Sequence, residues 1–192
     1  MTSLRRTAVL SVIATAGLIL LVGCGVAAAS APVTWPVGTG SAAVGLNDGV
    51  VPDGVTVDDE LPAVTGLDPA LRDALRAATA DAAQDGVGLV VNSGWRSARL
   101  QEQLLEDAVH DYGSIEQARR WVATPETSAH VSGDAVDIGP WDGADWLGQH
   151  GDAYGLCRTY LNEPWHFELR PEAVTTGCPR AYLDPTEDPR MQ

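Results

Sequence analysis

Ser128-Ala129-His130-Val131-Ser132-Gly133-Asp134-Ala135-Val136-Asp137 leads an imidazole into a short apolar run, Ala135-Val136-Asp137-Ile138-Gly139, with a carboxylate in its middle. In a strand, Val136 and Ile138 share one face and Asp137 lies opposite with Ala135 and Gly139. A carboxylate placed there costs several kcal/mol unless it is paired or bound to a metal. Further on, Glu163-Pro164-Trp165-His166-Phe167-Glu168-Leu169 alternates in the same way, with Trp165, Phe167 and Leu169 on one face and His166 and Glu168 on the other. His130, Asp137 and His166 make a nitrogen and oxygen ligand set that zinc takes in catalytic sites, leaving a fourth position for water. Glu163 stands three residues before the last ligand, within reach to act as a base on that water. The two histidines are 36 residues apart, and Pro164 biases Glu163 toward extended backbone, so this is not the helical HExxH arrangement. Taken singly, each residue reads as an ordinary loop histidine, strand histidine or salt-bridge acid. Taken together, they point to a metal-dependent hydrolase.

A third segment, Ser93-Gly94-Trp95-Arg96-Ser97, follows the apolar stretch Gly88-Leu89-Val90-Val91-Asn92. The three segments resemble the signature of the zinc D-alanyl-D-alanine carboxypeptidase family, which includes enzymes of the vancomycin-resistance type. That signature is S-G-[aromatic]-R-S, then S-x-H-x-x-G-x-A-x-D, then E-P-W-H. Every fixed position is matched by Ser93 to Ser97, Ser128, His130, Gly133, Ala135, Asp137 and Glu163 to His166. The resemblance covers roughly residues 60 to 170. It implies zinc on His130, Asp137 and His166, with Glu163 as general base. It also implies Arg96 as the cation that holds substrate charge, Gln101 as a hydrogen-bonding partner for the substrate, and Ser128 as a substrate-contacting hydroxyl. The implied fold is the hedgehog/D,D-peptidase type, an α+β domain whose small antiparallel sheet carries the metal between flanking helices. The implied reaction is hydrolysis of the terminal D-alanine from peptidoglycan stem peptides. Arg96 can pair bidentately with a substrate carboxylate or stabilise the oxyanion. An L,D-carboxypeptidase, a D-Ala-D-Ala dipeptidase or an endopeptidase would use the same metal site. A zinc-holding wall-peptide-binding protein without catalysis is the alternative from another class, against which Glu163 and Arg96 together speak.

At the N-terminus, Arg5 and Arg6 precede an uncharged apolar stretch from Thr7 to Val22, a signal peptide by charge and length. It closes on Leu21-Val22-Gly23-Cys24, which resembles a bacterial lipobox and makes Cys24 the expected lipidated residue. A secretory cut within Ala27 to Ala31 is the alternative. The chain is therefore expected on the outer face of the cell membrane, held by a lipid. Of three cysteines, Cys24 is then accounted for, and Cys157 with Cys178 bracket the Glu163–His166 segment as an expected disulfide.

The formal net charge is −14, all twelve basic residues are arginine, and loss of the signal removes Arg5 and Arg6 but no acid. Such a surface excludes nucleic acid as a partner and offers no polybasic patch for anionic lipid. The expected organisation is a signal over 1–23, a tether over 24–62, one catalytic domain over 63–180 and an irregular tail over 181–192, acting as a monomer. Asp68 caps a helix that starts with Pro69 and stops at Gly86, with Leu71, Leu75, Ala78 and Ala82 inward. Ser97 caps a second helix to about Tyr112, with Leu100, Leu104 and Ala108 inward and Gln101 one turn above the cap. Ser114 to Gln117 opens a third, short helix carrying Trp121. Residues 124 to 130 read as a loop, 141 to about 154 as a helix, and 157–160 with 165–169 as a hairpin. His110 and His150 are expected in solvent, and Trp95, Trp121, Trp141, Trp146 and Trp165 in the core, with Trp95 and Trp165 available to wall a cleft.

Overall fold

In the computed structural model, the described residues are 43–191. The stretch expected as a signal and Cys24 lie outside them. Helix α1 (Pro62–Thr65) leads into α2 (Pro69–Gln84), strand β1 (Val90–Ser93), and helices α3 (Ala98–Tyr112), α4 (Ile115–Ala118) and α5 (Ala129–Ser132). Then come β2 (Ala135–Gly139), α6 (Trp141–His150), the hairpin of β3 (Leu156–Arg158) and β4 (His166–Leu169), and α7 (Ala173–Thr176). The four strands form one sheet in the order β1-β2-β4-β3, antiparallel at every step.

Alternation along these strands divides the sheet into an apolar and a polar face. Val91, Val136, Ile138 and Phe167 pack with Leu71, Leu75, Ala78 and Ala82 of α2 and with Ala144 and Leu147 of α6 in one buried cluster. Those four residues of α2 are fully buried, as the 3.6-residue spacing requires. Asp68 caps the helix, its Oδ1 accepting from the amides of Ala70 at 2.8 Å and Leu71 at 3.2 Å. On the polar face the register sets Asp137 opposite both Ser93 and His166. Directly opposed residues point the same way, so one row across the sheet carries a hydroxyl, a carboxylate and an imidazole.

Beyond the polar face, α3 and α4 share a smaller cluster of Leu105, Ala108 and Ala118. Leu105 takes the core place expected for Leu104, which is half-buried. Residues 43–62, expected as the end of a tether, are instead built into the domain. Val55 and Val57 are buried in the main cluster, and Asp48 accepts hydrogen bonds from Ser97 Oγ at 3.0 Å and Arg99 Nε at 3.2 Å. The tail is likewise packed. Asp188 is fully buried, Tyr160 donates to it at 3.0 Å, and Arg119 donates to the Met191 carbonyl at 2.9 Å. Its two Asp-Pro steps make short 3-10 turns, Pro185–Glu187 and Pro189–Met191, rather than an irregular strand of chain. A disulfide joins Cys157 to Cys178. Among the described residues no helix is long and apolar enough to cross a membrane.

Candidate metal centre

Three chain segments are locked together before any ligand is considered. Arg96 donates its amide to the His130 carbonyl at 3.0 Å, Trp95 donates to Ala63 at 2.8 Å, and Asp68 donates to Gly133 at 2.9 Å. His130 therefore sits not in a loop, as its sequence suggested, but on the single-turn helix α5. Gly133 ends that turn in the left-handed region at φ +84°, where a side chain would meet the Gly66 carbonyl at 2.4 Å. The close approach of α5 to the α1–α2 junction thus requires glycine.

The polar row and α5 converge on one point. His130 Nε2 lies 3.2 Å from His166 Nδ1, and Asp137 Oδ1 lies 3.4 Å from the first and 3.3 Å from the second. All three residues are buried. A tetrahedral zinc ion with bonds of about 2.0–2.1 Å sets its ligand atoms about 3.3 Å apart. The triangle has the edges of one face of such a tetrahedron. Asp137 Oδ1 is also a buried oxygen without a hydrogen-bond partner, an arrangement a cation would satisfy. These residues fit a divalent metal.

The outer nitrogens fix which atoms face inward. His130 Nδ1 lies 2.8 Å from the Gly94 carbonyl, which accepts its proton and leaves Nε2 as the ligand. His166 Nε2 lies 3.3 Å from Glu168 Oε1, which leaves Nδ1 as the ligand. Burial, with Arg96 beside it, pushes the His130 imidazole down. Burial also opposes ionisation of Asp137, but His130, His166 and Arg96 override it and hold the carboxyl well below its usual range. Burial would lower His166 too, yet the carboxylates of Asp137 and Glu168 beside its ring lift it to about 9.

Glu163 completes the site from the turn before β4. Its Oε2 is 3.8 Å from His166 Nδ1, while Oε1 is buried with no partner. Burial, with Asp137 adding to it, pushes this carboxyl up to about 7. Arg96 is spread over three acceptors, donating from Nε to Ser93 Oγ at 2.7 Å, from Nη1 to Gln101 Oε1 at 3.2 Å and from Nη2 to Asp137 Oδ2 at 2.8 Å. Gln101 is itself held by the Ala123 carbonyl at 2.8 Å. Glu163, Arg96, Gln101 and the three candidate ligands, with buried Ser128, line a cavity of about 370 Å³ that opens between the sheet and α3. Its farther walls are Leu104, Tyr112, Trp121, Trp165, Pro185 and Met191. A second pocket of about 450 Å³ adjoins it beyond Ala123, Pro185 and Met191 and holds none of the metal-site residues.

The residues expected as metal ligands, base and substrate contacts, Arg96, Gln101, Ser128, His130, Asp137, Glu163 and His166, thus come to one cavity. Two groups were not read from sequence. Trp121 and Trp141 are exposed rather than core, and Trp121 stacks on Tyr112 at 5.9 Å on the cavity wall. Of the five tryptophans expected in the core only Trp146 is buried, while Trp95 and Trp165 are half-buried. The second group is the tail, whose Arg190 reaches Glu168. Only its paired Asp-Pro turns marked it as structured. His110 and His150 are exposed as expected.

Comparison with known proteins agrees with this geometry. The family model described as VanY, D-alanyl-D-alanine carboxypeptidase, matches residues 65–172. A D-alanyl-D-alanine carboxypeptidase of Enterococcus faecalis is 32% identical over 127 residues, which cover 53% of this chain and 46% of that protein. This chain thus spans about half the length of that relative. Among solved structures, a variant of the vancomycin-resistance D,D-pentapeptidase VanY from a VanB-type cassette in complex with Zn(II) superposes with a TM-score of 0.54. It is 29% identical and covers 57% of this chain and 76% of that one. VanYB in complex with D-alanine-D-alanine gives 0.53 at 29% identity, covering 57% and 75%. The LdcB LD-carboxypeptidase, 23% identical with a TM-score of 0.52 and covering 68% and 72%, shares the fold. With its fold, its His-Asp-His cluster and more than half of its length matched, the chain belongs to the VanY D-alanyl-D-alanine carboxypeptidase family.

Proposed function

We propose that this protein is a zinc-dependent carboxypeptidase that removes the terminal D-alanine from peptidoglycan stem peptides. The carrying observation is the triangle of His130, Asp137 and His166 ligand atoms on the wall of a cavity that also presents Glu163 and Arg96. The zinc and D-Ala-D-Ala complexes of its relatives support the choice of metal and ligand. Zinc held there would lower the pKa of a water and polarise the scissile carbonyl. Glu163, with an unpartnered oxygen and a carboxyl near 7, takes the proton of the attacking water and delivers it to the leaving amine. A guanidinium has five donors, and Arg96 spends three on Ser93, Gln101 and Asp137. The remaining N–H groups on its two terminal nitrogens suit a substrate oxyanion or carboxylate. Those same three bonds hold Arg96 against the cavity wall, so little rotamer freedom is lost when substrate binds. Ser128 lines the same cavity and is the further hydrogen-bonding group for the peptide, while Gln101, held by the Ala123 carbonyl, keeps Arg96 in place.

Cys24 is proposed as the lipid-bearing residue that holds the domain on the outer face of the membrane, where stem peptides are found. The reaction is tested by incubating the zinc-loaded protein with defined pentapeptide, tetrapeptide and D-Ala-D-Ala substrates and weighing the products. Loss of one D-alanine from the pentapeptide is expected. Preferential cleavage of the tetrapeptide or dipeptide would change the assigned specificity, and binding without cleavage of any would leave a wall-peptide-binding protein.

A further inference from the structure

Glu168 is only 1% exposed, yet each of its oxygens has two cationic or donor partners. Oε1 faces His166 Nε2 at 3.3 Å and accepts from Arg190 Nη2 at 3.0 Å. Oε2 accepts from Arg190 Nη1 at 2.6 Å and from Arg170 Nη2 at 2.7 Å. The Arg190 fork is thus bidentate, the geometry in which a guanidinium fixes a carboxylate most firmly. Arg190 is itself held by Asp188, which accepts from Nε at 3.0 Å and from the Arg190 amide at 2.9 Å, while Tyr160 donates to Asp188 at 3.0 Å. A purely structural ion pair tying the tail to the sheet would need no imidazole. Here the carboxylate's fourth contact is with the ring that carries a metal ligand.

We infer that Arg190, acting through Glu168, is a positioning residue that orients His166 and so makes the C-terminal turn part of the metal site. Without the Arg190 fork, Glu168 would keep only Arg170 on Oε2 and could rotate, which would release His166 Nε2. With both oxygens clamped, the ring is held with Nδ1 toward His130 and Asp137. This rests on the metal-centre reading above, and partners of this kind typically change metal affinity 10–100-fold when lost.

The test measures zinc affinity by chelator competition, alongside urea unfolding of the metal-free protein, for the parent, Arg190→Met and Arg190→Lys. Arg190→Met should bind zinc at least about tenfold more weakly. Arg190→Lys, which keeps the charge but not the fork, should fall between that variant and the parent. The absorption of the cobalt-substituted site should shift in the same order. Unchanged zinc affinity with lower metal-free stability in either variant would show a structural pair only and overturn the inference. If Arg190→Met does not fold, Arg190→Lys is read by the same criterion. A parent that binds no zinc would instead remove the metal-centre reading itself.

Discussion

At the scale of single residues, Glu163 shows how burial prepares a group for chemistry. A carboxyl near 7 can both accept and return a proton at neutral pH. Glu163→Gln keeps the shape and removes the proposed base, so turnover of a D-Ala-terminated peptide should fall at least about a hundredfold, roughly 2.7 kcal/mol of barrier. Zinc content should not change. Burial also has a stability consequence. The folded carboxyl lies above its ordinary 4.5, so in the metal-free protein its contribution is full below about pH 4.5 and is lost as pH rises through 7. Metal-free Glu163→Gln should therefore be more stable than the parent at pH 8, by on the order of 1–3 kcal/mol, with the gap closing toward pH 4. Urea unfolding of chelator-treated proteins measures both. Equal stability at pH 8 would mean that the buried carboxylate is solvated after all.

At the scale of elements, the site depends on a register and on one close approach. Pairing of Asp137 with His166 follows from the two alternating runs that hold them. Those runs were readable because their apolar residues repeat every second position. The caps of α2 and α3 were readable as well, at Asp68 and Ser97, whose side chains accept the expected amides. What the chain did not disclose depends on contacts distant in sequence. Leu105 rather than Leu104 faces inward because α4 packs on that side of α3. Residues 43–62 looked like linker from their Gly, Val and Pro content, yet Val55 and Val57 find the sheet core. Arg190 could not be matched to Glu168 from a one-dimensional pattern, since twenty-two residues separate them. Gly133 gives this scale its test. With φ at +84° and a backbone oxygen 2.4 Å from the place of a Cβ, Gly133→Ala must move α5 and His130 with it. A loss of about 2 kcal/mol or more in stability is expected, with weaker zinc binding. A fully stable variant with parental metal affinity would show that α5 can shift without consequence.

At the scale of the whole molecule, the apolar face of one small sheet is spent on the core, and the polar face is left for chemistry. Two devices close the structure around that face. The Cys157–Cys178 disulfide joins β3 to the segment after α7, closing a loop that in the chain-entropy model is worth roughly 3 kcal/mol. The C-terminal turns then cover the outer side of His166 through Arg190 and Glu168. The candidate ligands, from α5, β2 and β4, thus meet at ligand distance only in the folded chain, and metal binding should be coupled to folding. That convergence is the central claim, and zinc content tests it most directly. Purified protein should carry about one zinc per chain, whereas His166→Ala, confirmed as folded by circular dichroism, should carry almost none. Full zinc occupancy in folded His166→Ala, or none in the parent at saturating zinc, would contradict the site.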